Sequence, residues 1–129
     1  MDTLGNLKIE RTKSSPAIVF NTDGNLKIEG RAMPDNATYI FEPLFTWVEL
    51  LNAKKVIFDI DLEYLNTSCS MQLFALLRKL EENQSIEELI VKWYFEEDDE
   101  DHHDTGLFFE EKLTRTKFIY LSTACNSCL

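Results

Sequence analysis

Three hydroxyl side chains fall within four residues in the stretch Tyr64-Leu65-Asn66-Thr67-Ser68-Cys69-Ser70, with Met71 and Gln72 next. Two kinds of chemistry suit such a cluster where a strand gives way to a helix. One is capping: Thr67 or Ser68 accepts a hydrogen bond from a free backbone N–H of the first turn, which accounts for one hydroxyl but not for three. The other is phosphoryl acceptance by Thr67, Ser68 or Ser70, because unpaired amides and the helix dipole hold a phosphate well. A phosphate adds a charge of about −1.5 to −2 at neutral pH, enough to alter any partner surface centred there. The spacing alone leaves both readings open.

The remaining candidates are weaker. Glu96-Glu97-Asp98-Asp99-Glu100-Asp101-His102-His103-Asp104 is the segment a metal ion or a general base would use. It holds no D-x-D-x-D-G register, and consecutive carboxylates in a loop do not all face one ion, so it reads as a solvated linker. His102 and His103 have no Ser or Cys nucleophile nearby in a recognisable context. The CxxC of Cys125 and Cys128 makes half a zinc site and lies at the end of the chain, not at the start of a helix after a strand; it reads as part of a tail. Walker A, GxGxxG, HExxH and G-x-S-x-G patterns are all missing. The expectation is a non-enzyme with no cofactor and no metal.

The elements that position these residues follow from periodicity. The 129 residues suit a single domain, with a core over about 7–121 and a tail over 122–129. Gly5-Asn6-Leu7-Lys8-Ile9-Glu10 recurs letter for letter at Gly24–Glu29, each copy a short strand entered from a Gly-Asn turn. With Ala17–Phe20 between them and Asp23-Gly24 as a hairpin signal, they predict a three-stranded antiparallel meander. Pro34-Asp35-Asn36 caps a helical region carrying Ile40, Phe41, Leu44, Phe45, Trp47, Val48 and Leu51, which starts afresh or kinks at Pro43. In Val56–Tyr64, Phe58, Ile60, Leu62 and Tyr64 alternate with Asp59, Asp61 and Glu63, so one face is buried and the other wet. Lys8, Lys27 and Lys92 are candidates to balance that acidic row. A second helix begins near Ser68 with Leu73, Phe74, Leu76, Leu77 and Leu80 as its apolar stripe. A strand over Leu89–Phe95, a short helix over Thr105–Leu113 and a strand over Lys117–Leu121 complete a βββ-α-β-α-β-α-β order. That order predicts an α/β mixed sheet of about six strands with helices packed on one face.

Charge narrows the partners. The chain carries 23 acidic and 13 basic side chains, a net charge of −10, which argues against nucleic acid and anionic membrane. Seven of the acids sit in 96–104, leaving 16 against 13 elsewhere. The first residues show no signal peptide, and no apolar run approaches the ~20 residues that span a bilayer. The expected location is the cytoplasm, with reduced cysteines.

Four segments in order then carry a resemblance: Thr12–Phe20, Gly30–Ala37, Tyr64–Ser70, and Lys92-Trp93-Tyr94 running into Asp98–Asp101. Together they resemble the SiaC-type regulatory phosphoproteins, over roughly Leu7 to Leu121. The resemblance implies a STAS-like fold similar to anti-sigma-factor antagonists, and a non-enzymatic partner switch. It implies phosphorylation on a threonine by a protein kinase and reversal by a PP2C-like phosphatase. In that family the unphosphorylated form binds a diguanylate cyclase in biofilm-forming bacteria, which links it to cyclic-di-GMP signalling. The family's threonine falls on Thr67, with Asn66, Thr67, Ser68, Ser70 and Met71 as the implied partner-binding residues. Leu65 stands here for an aromatic, Cys69 for a serine and Met71 for a lysine. The other readings are a partner switch acting on a sigma-factor system through the same site, and a small metal protein or enzyme using 96–104.

Overall fold

A computed structural model describes residues 4–32 and 37–123. In chain order these form β1 (Leu7–Ile9), β2 (Ala17–Phe20), β3 (Asn25–Ala32), α1 (Ala37–Leu50), β4 (Lys55–Leu65), α2 (Thr67–Glu82), β5 (Glu88–Glu96), α3 (Glu100–Lys112) and β6 (Thr116–Thr123). The six strands lie in the sheet in that same order. Pairing is antiparallel from β1 to β3, the expected meander, and parallel from β3 to β6. Each parallel join passes through one helix, as the long crossover between parallel strands requires.

The alternation in the sequence decides the faces. Phe20, Leu26, Phe58, Val91 and Phe118 are cross-strand partners in one row. All are buried in a core shared with Phe41, Leu44 and Val48 of α1, Leu73, Leu76, Leu77 and Leu80 of α2, and Phe109 of α3. The adjacent row points the other way and reads Lys8, Val19, Lys27, Asp59, Lys92, Ile119. Asp59 thus sits between two lysines, and the repeated hexapeptide places Lys8 and Lys27 on either side of β2. At the hairpin, Gly24 has φ +101°, and a Cβ there would stand 2.1 Å from the Lys55 carbonyl oxygen. The tight turn and the start of β4 both depend on a residue with no side chain.

Two expectations are corrected. α1 does not start afresh at Pro43 but runs from Ala37 to Leu50 with Pro43 inside it, although Pro43 has no amide to donate. Phe41, Leu44 and Val48 are fully buried on either side of it. Three such burials at ~1.5–3 kcal/mol each outweigh the ~3 kcal/mol cost of an interior proline. The acidic run is not a linker either. Asp99 Oδ1 accepts from the His102 amide at 3.0 Å and caps α3, so Glu100 to Asp104 lie in its first turns, where carboxylates complement the helix dipole. The Pro34-Asp35-Asn36 cap and the Cys125/Cys128 pair fall outside the described residues.

Candidate functional site

β4 delivers the chain to the edge of the sheet at Leu65, and Asn66 turns it into α2. Asn66 is extended (φ −76°, ψ 168°), and its Oδ1 accepts from the Cys69 amide at 2.8 Å. Its own amide donates to the Ala32 carbonyl at 3.0 Å, and its carbonyl accepts from the Ser70 amide at 2.8 Å. The capping role expected of Thr67 or Ser68 therefore belongs to Asn66, and the helix opens at Thr67. The physical reason is reach: a β-region residue immediately before the first helical turn aims its side-chain oxygen at the amide three residues on.

This frees the hydroxyls. Thr67 and Ser68 are exposed and Ser70 is half-buried. None of the three hydroxyls makes a hydrogen bond among the described residues. Cys69 points the opposite way, fully buried, and burial pushes its thiol up to about 11. It packs as a small apolar residue rather than acting as a nucleophile.

Two depressions flank Ser70. On one side Ser70, Met71, Phe74, Asp104, Thr105, Phe108 and Phe109 line a groove of about 440 Å³ between α2 and α3. Met71 is 69% exposed and Phe108 55%, so the rim of this groove is apolar. On the other side Glu63, Tyr64, Leu65, Ser70, Asp99, Asp101, His102 and Thr105 line a smaller acidic pocket of about 250 Å³. The second half of the acidic run thus stands beside the start of α2, although the two are some thirty residues apart in sequence. Phe108 and Thr105 gave no motif signal, and Asp104 stood out only as the end of the acidic run. The signal that would have found them is topological: β4 and β5 are parallel neighbours, so the helices that follow them start at the same edge of the sheet.

The α3 side of the site is held by aromatic packing. His102 is 8% exposed; its ring stacks on Trp93 with centroids 5.0 Å apart, and its carbonyl accepts from Trp93 Nε1 at 3.1 Å. Burial lowers the imidazole pKa, against the pull of Asp99 and Asp61, so the ring is neutral near pH 7. Gly106 permits this close approach, since a Cβ there would lie 2.9 Å from three atoms of the Trp93 ring. On the open face, partial burial and then the neighbouring Glu29 push the Asp61 carboxyl up. Among the described residues no three His, Cys, Asp or Glu side chains are grouped to hold a metal ion. None of the described helices is long and apolar enough to cross a membrane.

Comparison with known proteins converges on one family. The sequence model of the SiaC family regulatory phosphoproteins matches residues 9–123. An uncharacterised protein of Pseudomonas aeruginosa strain UCBPP-PA14 is 31% identical over 98 residues, 72% of this chain and 78% of its own. The solved structure of SiaC of Pseudomonas aeruginosa superposes with a TM-score of 0.80 at 27% identity, covering 92% of this chain and 99% of its own. The crystal structure of the diguanylate cyclase SiaD in complex with its activator SiaC, from the same organism, matches with a TM-score of 0.81 at 28% identity. That match covers 91% of this chain and 99% of the matched one.

Proposed function

The chain belongs to the SiaC family of regulatory phosphoproteins, and we propose that it is a non-enzymatic switch whose unphosphorylated form binds a diguanylate cyclase through the start of α2. The observation that carries the proposal is the division of labour at residues 66 and 67. Asn66 does the structural work of capping, which leaves the Thr67 hydroxyl exposed and without a hydrogen-bond partner among the described residues. A protein kinase reaches such a group without unfolding anything, and a PP2C-like phosphatase resets it.

The surroundings explain why a phosphate acts as an off-signal. Met71, Phe74 and Phe108 offer a partner an apolar contact, and Ser70 links that groove to a pocket edged by Glu63, Asp99 and Asp101. The helix dipole tolerates a dianion at Thr67, so the fold is undisturbed. A docked partner does not tolerate it. The phosphate must be desolvated against an apolar interface whose rim is already acidic. The change is local and reads out as cyclase activity, hence as cyclic-di-GMP level and biofilm formation. STAS-like partner-switching proteins work by this logic, and the six-stranded mixed sheet with its helices is the kind of scaffold that logic needs.

The test is titration calorimetry between the purified chain and a diguanylate cyclase of the SiaD kind from the same genome. The wild-type protein binds and the Thr67→Glu variant does not, while the two melt within a few degrees of each other. Full cyclase binding by Thr67→Glu overturns the proposal.

A further inference from the structure

A cleft on the opposite, open face of the sheet plays no part in the groove just described. The loop after β1 and the end of β3 bring Arg11, Thr12, Lys13 and Arg31 around a space of about 720 Å³, closed on one side by Glu63. Three cations meet one carboxylate here, in a chain whose net charge is −10. Arg11 already has a partner. Its Nη2 donates to Glu63 Oε2 at 3.1 Å, and its side chain lies against Gly30, where a Cβ would stand 3.0 Å from Nε and 3.2 Å from Cδ. Gly30 also has φ +119°, a backbone conformation that disfavours any residue with a side chain there. Thr12 Oγ1 accepts from the Ser14 and Ser15 amides at 3.3 and 2.9 Å and shapes the loop that carries Lys13. Arg31 and Lys13 form no ion pair among the described residues.

An exposed Arg–Glu pair contributes little to stability, and it does not account for the two further cations beside it. The geometry points to a docking site for an acidic segment of the partner protein, whose side-chain carboxylates pair with Arg11 and Arg31. The guanidinium fork of an arginine suits carboxylates. The inference rests on the partner-binding function proposed above, and continuity supports it. Arg31 pairs with Tyr64, three residues before Thr67, and Glu63 lines both this cleft and the acidic pocket beside α2. A partner covering Thr67 therefore reaches the cleft.

The probe is a hexaglutamate peptide with blocked ends, titrated into ¹⁵N-labelled protein and followed by amide chemical shifts, with inorganic phosphate in a parallel titration. The peptide shifts the amides of Arg11–Ser15 and Gly30–Ala32, and both Arg31→Glu and Lys13→Glu weaken it about tenfold. Unmoved amides in those two segments overturn the inference. So does equal binding by both variants, or an equal response to phosphate, which marks a general small-anion site. Thr67→Glu separates the two proposals: it loses the cyclase and keeps the peptide response. Cyclase binding retained by Thr67→Glu strikes the switch, whereas a peptide response lost by the wild type strikes the cleft.

Discussion

Replacing Asn66 with Ala removes the Oδ1 that accepts from the Cys69 amide at 2.8 Å and leaves an orphan donor at the start of α2. Loss of an Asn cap costs ~1 kcal/mol. With an unfolding entropy of ~2.1 cal/mol/K per residue, the 129-residue chain has a total of ~270 cal/mol/K, so Tm falls by ~4 °C. Replacing Thr67 with Ala removes a group that is exposed and makes no internal hydrogen bond, so its cost stays within ~0.5 kcal/mol, or about 2 °C. Thr67→Glu places a negative charge on the first helical residue, where the dipole adds ~0.3–1 kcal/mol, and its Tm matches or slightly exceeds that of the wild type. Differential scanning calorimetry of the three variants at one pH and salt concentration measures the order directly. Cyclase binding should rank differently, with Thr67→Glu worst. If Thr67→Ala melts lower than Asn66→Ala, Thr67 is a structural cap and the separation of capping from switching is wrong.

Gly106→Ala drives a methyl group to within 2.9 Å of the buried Trp93 ring. The overpacking cost of ~1–3 kcal/mol exceeds the gain of up to ~1 kcal/mol in helix propensity, so Tm drops and the Trp93 fluorescence shifts as α3 lifts; a raised Tm with an unchanged spectrum contradicts this. Glu81 accepts from the Thr114, Arg115 and Thr116 amides and from Thr116 Oγ1 at 2.6–3.1 Å, tying α2 to the start of β6. Burial pushes its pKa up, but the hydrogen bonds outweigh it and hold the group below the ordinary 4.5. Its contribution is therefore present above pH 4.5 and lost as pH falls below it; Glu81→Ala, costing ~2–3 kcal/mol at pH 7, flattens that part of the acid-unfolding curve. His102 works in a higher window. Burial holds its pKa below the ordinary 6.5, so the unfolded chain binds the extra proton first and stability declines as pH drops through 6.5 toward the folded value. His102→Phe removes that slope between pH 7 and 5, as urea titrations at several pH values would show, and an identical slope in the variant refutes the assignment.

Much of the fold was legible because β4 alternates so strictly. Phe58, Ile60 and Leu62 against Asp59, Asp61 and Glu63 identified one buried and one open face before any contact was known. The fresh start at Pro43 was misjudged because local propensity is visible in a sequence, whereas the burial of Phe41, Leu44 and Val48 that overrides it is tertiary. The acidic run failed for a related reason. Glu100 to Asp104 have the composition of a solvated loop, and only the Asp99 cap and the stacking of His102 on Trp93 make them helix. At the site, the hydroxyl cluster located the start of α2, but three acceptable oxygens left the cap unassigned among neighbours until Asn66 was seen to take it. The contribution of Asp104, Thr105 and Phe108 was invisible along the chain, since it arises from two crossovers ending at the same sheet edge.

The strand order has a consequence for how the protein is made. Because sheet position repeats chain position from β1 to β6, each strand leaving the ribosome finds its hydrogen-bonding neighbour already synthesised. The nascent sheet grows at one edge and never holds a gap for a strand still to come, which shortens the time any inner edge is open to wrong pairing. By the time α2 has emerged, every strand that β1 to β4 pair with among themselves, and both members of the α1–α2 pair, have been synthesised. Only β5, α3 and β6 remain to be added, and they bring the second wall of the groove beside Ser70 and Met71. The α2 wall of the groove is therefore made before the α3 wall, and the groove comes into existence only when α3 has folded onto the sheet.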